Sequence, residues 1–265
     1  MKPQIPLALA VAAGIVAQRE RRARQAIERF AAASLETVLN AIEANDAQTG
    51  EHVRRVAAYA LVIADAAGLD ERQQRAVERV ALFHDIGKIH EALFDIVHDP
   101  TGLSPAERRE IATHPRRGAE VLAPLAAFYP ELPRGVLSHH ERWDGKGYPR
   151  HLKGANIPLE ARIVSIADTF DALTHNRRYR PGQGLDTAVE VIGAGRAKQF
   201  DPDLIDLVML PPVLDRLART HVQQHERGRY GGRRDGQRER VPDVSFRWRS
   251  RSPRPRRVGP ADDLD

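Results

Sequence analysis

Apolar residues recur along this chain at spacings of three and four, the period of a helix with one buried stripe. From about Arg19 to Ala44 the stripe is Ile27, Phe30, Ala31, Leu35, Val38, Leu39 and Ile42, and Asp46 to His52 interrupts it. Val53, Val56, Ala60, Ile63, Ala64 and Ala67 form a second face that closes at Gly68, a residue favoured just beyond a last helical turn. Residues 72 to 87 predict a third helix, with Val77, Val80, Ala81 and Phe83 leading into His84-Asp85. Ser104, Pro105 and Glu107 supply a cap, a first-position proline and a capping-box acid. The helix they open carries Ile111 and is expected to end near His114-Pro115. Gly118, Val121 and Leu122 continue in a helical segment to Tyr129-Pro130, and Val136-Leu137-Ser138 delivers His139-His140. Leu159 to Leu173 predicts a buried helix carrying Asp168. Leu185 to about Ala197 and Pro202 to Leu217 close the pattern.

With aromatics at 5% and most apolar content in Ala, Leu, Ile and Val, this periodicity predicts an all-α domain. The net charge of +5 is unevenly divided: residues 216–265 hold 14 arginines against 7 acids, and the first 215 residues are net negative by 2. Little apolar periodicity follows Thr220, so the predicted organisation is an amino-terminal apolar run and helix over 1–39, a catalytic domain over 40–215 and a disordered Arg-rich tail over 216–265. The tail's arginines, with Tyr230, Phe246 and Trp248, suit weak contact with RNA or anionic lipid; a solubilising tail with no partner is the plainer reading. Residues 5–17 are apolar but shorter than the usual span of about 20 residues. They read as the start of an ordinary helix, or as a membrane tether on a cytoplasmic protein. The helix after them either packs on the domain or joins two copies as a homodimer.

The chain has no cysteine, so a metal would be held by His, Asp and Glu. An adjacent His84-Asp85 at the end of an apolar helix is costly to bury uncompensated. Both can ligate a metal, with the carboxylate free to bridge two ions; a structural histidine beside a capping acid is the simpler alternative. His139-His140 raises the same conflict, because two adjacent imidazoles cannot share one core-facing direction. Gly145 and Gly147, in the Asp144-Gly145-Lys146-Gly147-Tyr148-Pro149 loop that follows, allow backbone to press against a ligand. Asp168 is an acid in an apolar run. Arg177, Arg178 and Arg180 either hold an anionic substrate or form a solvated basic loop. Alone, His52 reads as a capping or solvated residue and His114 as a helix end.

Taken together, Thr49-Gly50-Glu51-His52, His84-Asp85-Ile86-Gly87-Lys88, the stretch His139 to Pro149, Ala167 to Leu173 and Phe200-Asp201-Pro202 resemble the HD-GYP family of bacterial cyclic-di-GMP phosphodiesterases, over roughly residues 40 to 210. The resemblance implies an HD-type helical bundle with a short amino-terminal helix and a dinuclear centre of two divalent ions, iron or manganese. Its ligands would be His52, His84, Asp85, His114, His139, His140 and Asp168, with Asp85 bridging. It implies Lys88 as a catalytic lysine beside Asp85 and Arg177 and Arg180 as substrate contacts, and the Gly147, Tyr148 and Pro149 loop would shape the wall beside the substrate. The implied reaction cuts cyclic-di-GMP to pGpG and in some members on to GMP.

Two positions depart from the family. Gln48 stands where some members use a Glu for a third metal, so two ions are expected. Val97 to Gly102 replaces the usual turn after the HD motif, which bears on substrate access. The competing readings are a protein that binds cyclic-di-GMP or docks a protein partner through its Gly147-Tyr148-Pro149 loop without useful turnover, a phosphohydrolase acting on another cyclic dinucleotide such as a cyclic GMP-AMP hybrid, and an RNA-binding module centred on the tail.

Overall fold

The computed structural model of the chain describes residues 7–89, 104–175 and 182–231, and every regular element among them is helical. Helix α1 spans Leu7–Asn45, 39 residues, and is therefore not short. The apolar run from Leu7 onward forms its first turns. Among its described side chains the buried ones are Ala31, Ala32, Leu35, Leu39 and Ile42, toward its end, whereas Ile27 and Phe30 of the expected stripe face solvent, Phe30 at 75% exposure. No helix among the described residues is long and apolar enough to cross a membrane.

The break after α1 is a single residue. Asp46 caps α2 (Ala47–Ala66) by accepting a hydrogen bond from the Gln48 amide, so Thr49 to His52 are already helical rather than interrupting. Helix α2 is the centre of the bundle and packs on α1, on α3 (Glu71–Phe83), on α7 (Leu159–Thr174) and on α10 (Pro211–Gly231). Its Val56, Tyr59, Ala60 and Ala64 are fully buried. Asp70 and Gln73 form a capping box on α3, which stops at Phe83, four residues before the expected end, so that His84-Asp85 lies in the turn before a short 3-10 segment, Ile86–Ile89.

Ser104 and Glu107 form the anticipated capping box on α4 (Pro105–Ile111). His114 does not end that helix. It opens α5 (His114–Leu122), where Pro115 is tolerated because a first-turn amide has no intrahelical partner. Helix α6 (Glu131–Ser138) is held to α3 by a buried Arg79–Glu131 ion pair, with the guanidinium 4.5 Å from the Tyr129 ring centroid. Helices α8 (Leu185–Ala194) and α9 (Pro202–Val208) complete the bundle.

The boundary expected at residue 216 falls inside α10, which continues to Gly231. Val213 and Leu217 are buried, and the Tyr59 hydroxyl lies 3.2 Å from His221 Nδ1. This apolar register was hidden because arginines and glutamines fill the other faces. The rest of the tail, residues 232–265, lies outside the described residues, and with it the expected RNA or lipid contact. Truncating Leu217 to Ala should cost about 2–5 kcal/mol, as for other buried leucines. Urea unfolding measures this, and a loss below about 1 kcal/mol would place α10 outside the cooperative unit.

Candidate metal centre

Helix termini aim most of the site. The α3 helix stops just before His84, α5 starts at His114, and α6 ends by delivering His139 and then His140. His52 comes from the second turn of α2 and Asp168 from the middle of α7. His84, His114 and His139 repeat one device. Each donates its Nδ1 proton to the carbonyl three residues back, Ala81, Ile111 and Val136, at 2.8, 2.7 and 2.7 Å. A ring nitrogen that donates to a carbonyl carries a proton, so Nε2 is the atom each ring presents to the site, a bare lone pair in the neutral imidazole.

Those lone pairs converge. His114 Nε2 and His139 Nε2 stand 3.1 Å apart, and His84 Nε2 is buried with no hydrogen-bond partner. Two acceptor nitrogens at that distance repel each other unless a cation lies near both. The ligand atoms of His114, His139 and His140 lie within 4.8 Å of one another, as do those of His52, His84 and Asp85. Asp85 joins the two groups. Its Oδ2 lies 3.4 Å from His84 Nε2 and 3.7 Å from His52 Nε2, and its Oδ1 lies 3.4 Å from His114 Nε2. That Oδ1 is also buried without a hydrogen bond. Asp168 Oδ1 is 3.4 Å from His52 Nε2. The donor set of nitrogens and carboxylate oxygens, with unsatisfied atoms at its middle, fits divalent metal ions.

The electrostatics agree. Burial, with Lys88 adding to it, depresses His114 to about 2; burial and the neighbouring His84 depress His139 to about 4. Burial also holds His140 well below its ordinary value. Neutral imidazoles are what a metal requires. His84 is the exception: burial lowers it, but the Asp85 and Asp168 carboxylates outweigh that and raise it to about 9. A proton there does for Asp85 what a metal cation would do.

His52 is held differently. Its Nδ1 meets Asp171 Oδ2 at 2.7 Å, and Asp171 also accepts a two-pronged Arg55 contact at 2.7 and 3.1 Å. Burial raises the Asp171 carboxyl, but its bonds to His175, His52 and Arg55 outweigh this and hold it far below the carboxylate range. Asp171 and Arg55 are candidate positioning residues that sequence reasoning missed. The available signal was the i, i+3 placement of Asp168 and Asp171 on one helix, which puts both on the face toward His52.

Lys88 Nζ sits 2.7 Å from Asp85 Oδ2 and remains partly exposed. The loop beyond His140 lines the site: the Tyr148 ring stacks on His140 with centroids 4.9 Å apart. Any Cβ at Gly147 would overlap the Arg142 backbone nitrogen, so the close approach there requires glycine. Buried Glu141 fixes the loop's exit by accepting from the amides of Arg150 and Leu152 at 2.7 and 3.0 Å, with Pro149 between these anchors and Tyr148. Gln48 lies one turn before His52 and is exposed. Arg177 and Arg180, and the altered turn over residues 97–102, lie outside the described residues. All seven candidate ligands and Lys88 are thus brought to one place.

Residues 36–204 match the family model described as HD domain. The cyclic di-GMP phosphodiesterase response regulator RpfG of Xanthomonas campestris is 37% identical over 192 residues, covering 72% of this chain and 48% of that protein. The 3'3'-cGAMP-specific phosphodiesterase 2 of Vibrio cholerae is 36% identical over 172 residues, covering 64% of this chain and 33% of that protein. The chain therefore spans half or less of these relatives. A solved HDG"Y"P protein from Bdellovibrio bacteriovorus, Bd1817, shares the fold with TM-score 0.51 at 20% identity, over 64% of this chain and 52% of that one. Because Asp171 fixes the orientation of His52, Asp171→Asn should weaken metal retention about 10–100-fold. A competition assay with a chromophoric chelator reads this, and unchanged retention in the folded variant would remove Asp171 from the site.

Proposed function

The chain belongs to the HD-domain family, and from that premise we propose that it is a metal-dependent phosphodiesterase that opens cyclic-di-GMP to linear pGpG. The observation that carries this reading is Asp85, whose two oxygens face two separate histidine groups. His52, His84 and Asp168 would hold one ion, His114, His139 and His140 the other, and Asp85 both. We take the ions to be iron or manganese, as the resemblance to HD-GYP proteins implies; mixed imidazole and carboxylate donors accept either. Bound there, divalent ions would supply an activated water and neutralise charge on the scissile phosphate.

The protein's own groups do the rest. The Nδ1 bonds of His84, His114 and His139 and the Asp171 bond of His52 fix each ring so that Nε2 is aimed into the site. Lys88 is held by Asp85 at the open side of the site, where its ammonium can donate to a phosphate oxygen as negative charge grows in the transition state. The Tyr148 ring on His140 forms an apolar wall that excludes water from one side. Arg177 and Arg180 are proposed to hold the substrate's second phosphate through their guanidinium forks.

A second reading is 3'3'-cGAMP as the preferred substrate, favoured by the near-equal identity of the cGAMP-specific relative, 36% against 37%. Protein reconstituted with Fe²⁺ or Mn²⁺ and given both dinucleotides should release pGpG from cyclic-di-GMP. Faster turnover of the hybrid would move the assignment to cGAMP, and hydrolysis of neither by a metal-loaded sample would overturn it. Asp85→Ala should lose activity together with bound metal. Lys88→Met should keep its metal and lose on the order of 10²-fold in kcat; full activity of either variant contradicts the role given to it.

A further inference from the structure

Behind Asp171, on the side away from His52, the fold assembles a second group of histidines. His175 caps α7, and His221 and His225 stand one turn apart on α10. The ring centroids of His175 and His221 are 4.8 Å apart, and His225 lies 5.9 Å from each. Three imidazoles bound at about 2.1 Å to one tetrahedral ion have centroids roughly 5 Å apart. Neighbouring rings in the dinuclear centre are spaced similarly, from 4.1 to 5.3 Å.

Two features mark this group as more than packing. The first is His175: its Nδ1 lies 3.0 Å from Asp171 Oδ1, while its Nε2 is buried with no hydrogen-bond partner. An unpaired buried nitrogen is destabilising, and a ligand would remove that cost. The second is the i, i+4 spacing of His221 and His225, which sets two imidazoles on one helix face as in helical zinc motifs. His221 uses Nδ1 toward the Tyr59 hydroxyl, leaving Nε2 for a ligand. His225 is exposed; as placed, the three rings do not bring one nitrogen each within 4.8 Å of the others, and the site requires the His225 ring to turn about its own side-chain bonds.

We propose that His175, His221 and His225 form a second transition-metal site, distinct from the dinuclear centre, that takes one ion of the Zn²⁺ or Ni²⁺ type with solvent completing its shell. An all-imidazole set with no first-sphere carboxylate suits these ions better than manganese or magnesium. Burial and the two neighbouring rings depress His221 to about 4, so it is neutral at ordinary pH as a ligand must be. Arg55 opposes a cation here and Asp171 favours one, so the two largely offset each other. An ion in this site would clip α10 to the end of α7. Asp171 would then support a ligand of each centre, with Oδ2 toward His52 and Oδ1 toward His175.

The test is equilibrium dialysis of the full chain against zinc buffered at low micromolar free concentration, followed by elemental analysis. The wild type should retain one zinc equivalent more than His225→Gln and more than His221→Gln/His225→Gln, whatever number the dinuclear centre holds. Because His225 is at the surface, its substitution leaves the packing intact, which far-UV circular dichroism checks. Equal zinc content in wild type and the folded His225→Gln protein would overturn the proposal.

Discussion

Histidine nitrogens stripped of their protons, buried and turned toward one another, are unstable company without positive charge among them. In this chain the Asp85 carboxylate sits where that charge must be, one oxygen toward each histidine group and one of the two left without a hydrogen bond. Neither a proton nor a single salt bridge satisfies the whole arrangement. Lys88 reaches only Oδ2, and a proton on His84 does nothing for the facing nitrogens of His114 and His139. Isolated buried charges and lone pairs of this kind cost several kcal/mol each, so the fold around them is an expenditure that only a bound cation explains.

The bundle supplies that arrangement by ending helices in the right place. A histidine just past a helix, or at its first residue, has a carbonyl three positions back that fixes its ring without occupying Nε2. Three separate helix termini use it, and α2, buried at the centre, brings His52 to the same point. Gly87 makes the join between the first two possible: a Cβ there would strike the His114 carbonyl. The binding loop is equally determined, with Gly147 against backbone and Glu141 holding two amides beyond it. What distinguishes this site from a set of packed histidines is therefore a set of backbone carbonyls and glycines as much as the ligands.

Much of this was legible in the amino-acid order. His84-Asp85, His139-His140 and the glycine loop are contiguous, so their chemistry could be read locally, and the helical period gave the bundle and the cap at Ser104. What escaped reading is long-range or masked by composition. Asp171 acquires its role from His52 and Arg55, 119 and 116 residues away, and no local pattern announces such a pairing. Pro115 reads equally as a helix stop or a helix start, and here it sits in the first turn of the helix that His114 opens. In α10 the inward register of buried Val213 and Leu217 and half-buried His221 runs at intervals of four, but arginine and glutamine on the other faces made the segment look like tail. In α1 the reverse occurred: Ile27 and Phe30 fit the period, yet the helix projects beyond the core that would cover them.

The claim on which the rest stands is that one carboxylate serves two ions. Anomalous scattering from a crystal of the manganese-loaded protein tests it without reference to turnover. The account predicts two manganese peaks roughly 3.5–4 Å apart, one beside His52, His84 and Asp168, the other beside His114, His139 and His140, with the Asp85 oxygens divided between them. A single peak, or two that Asp85 does not span, would contradict it.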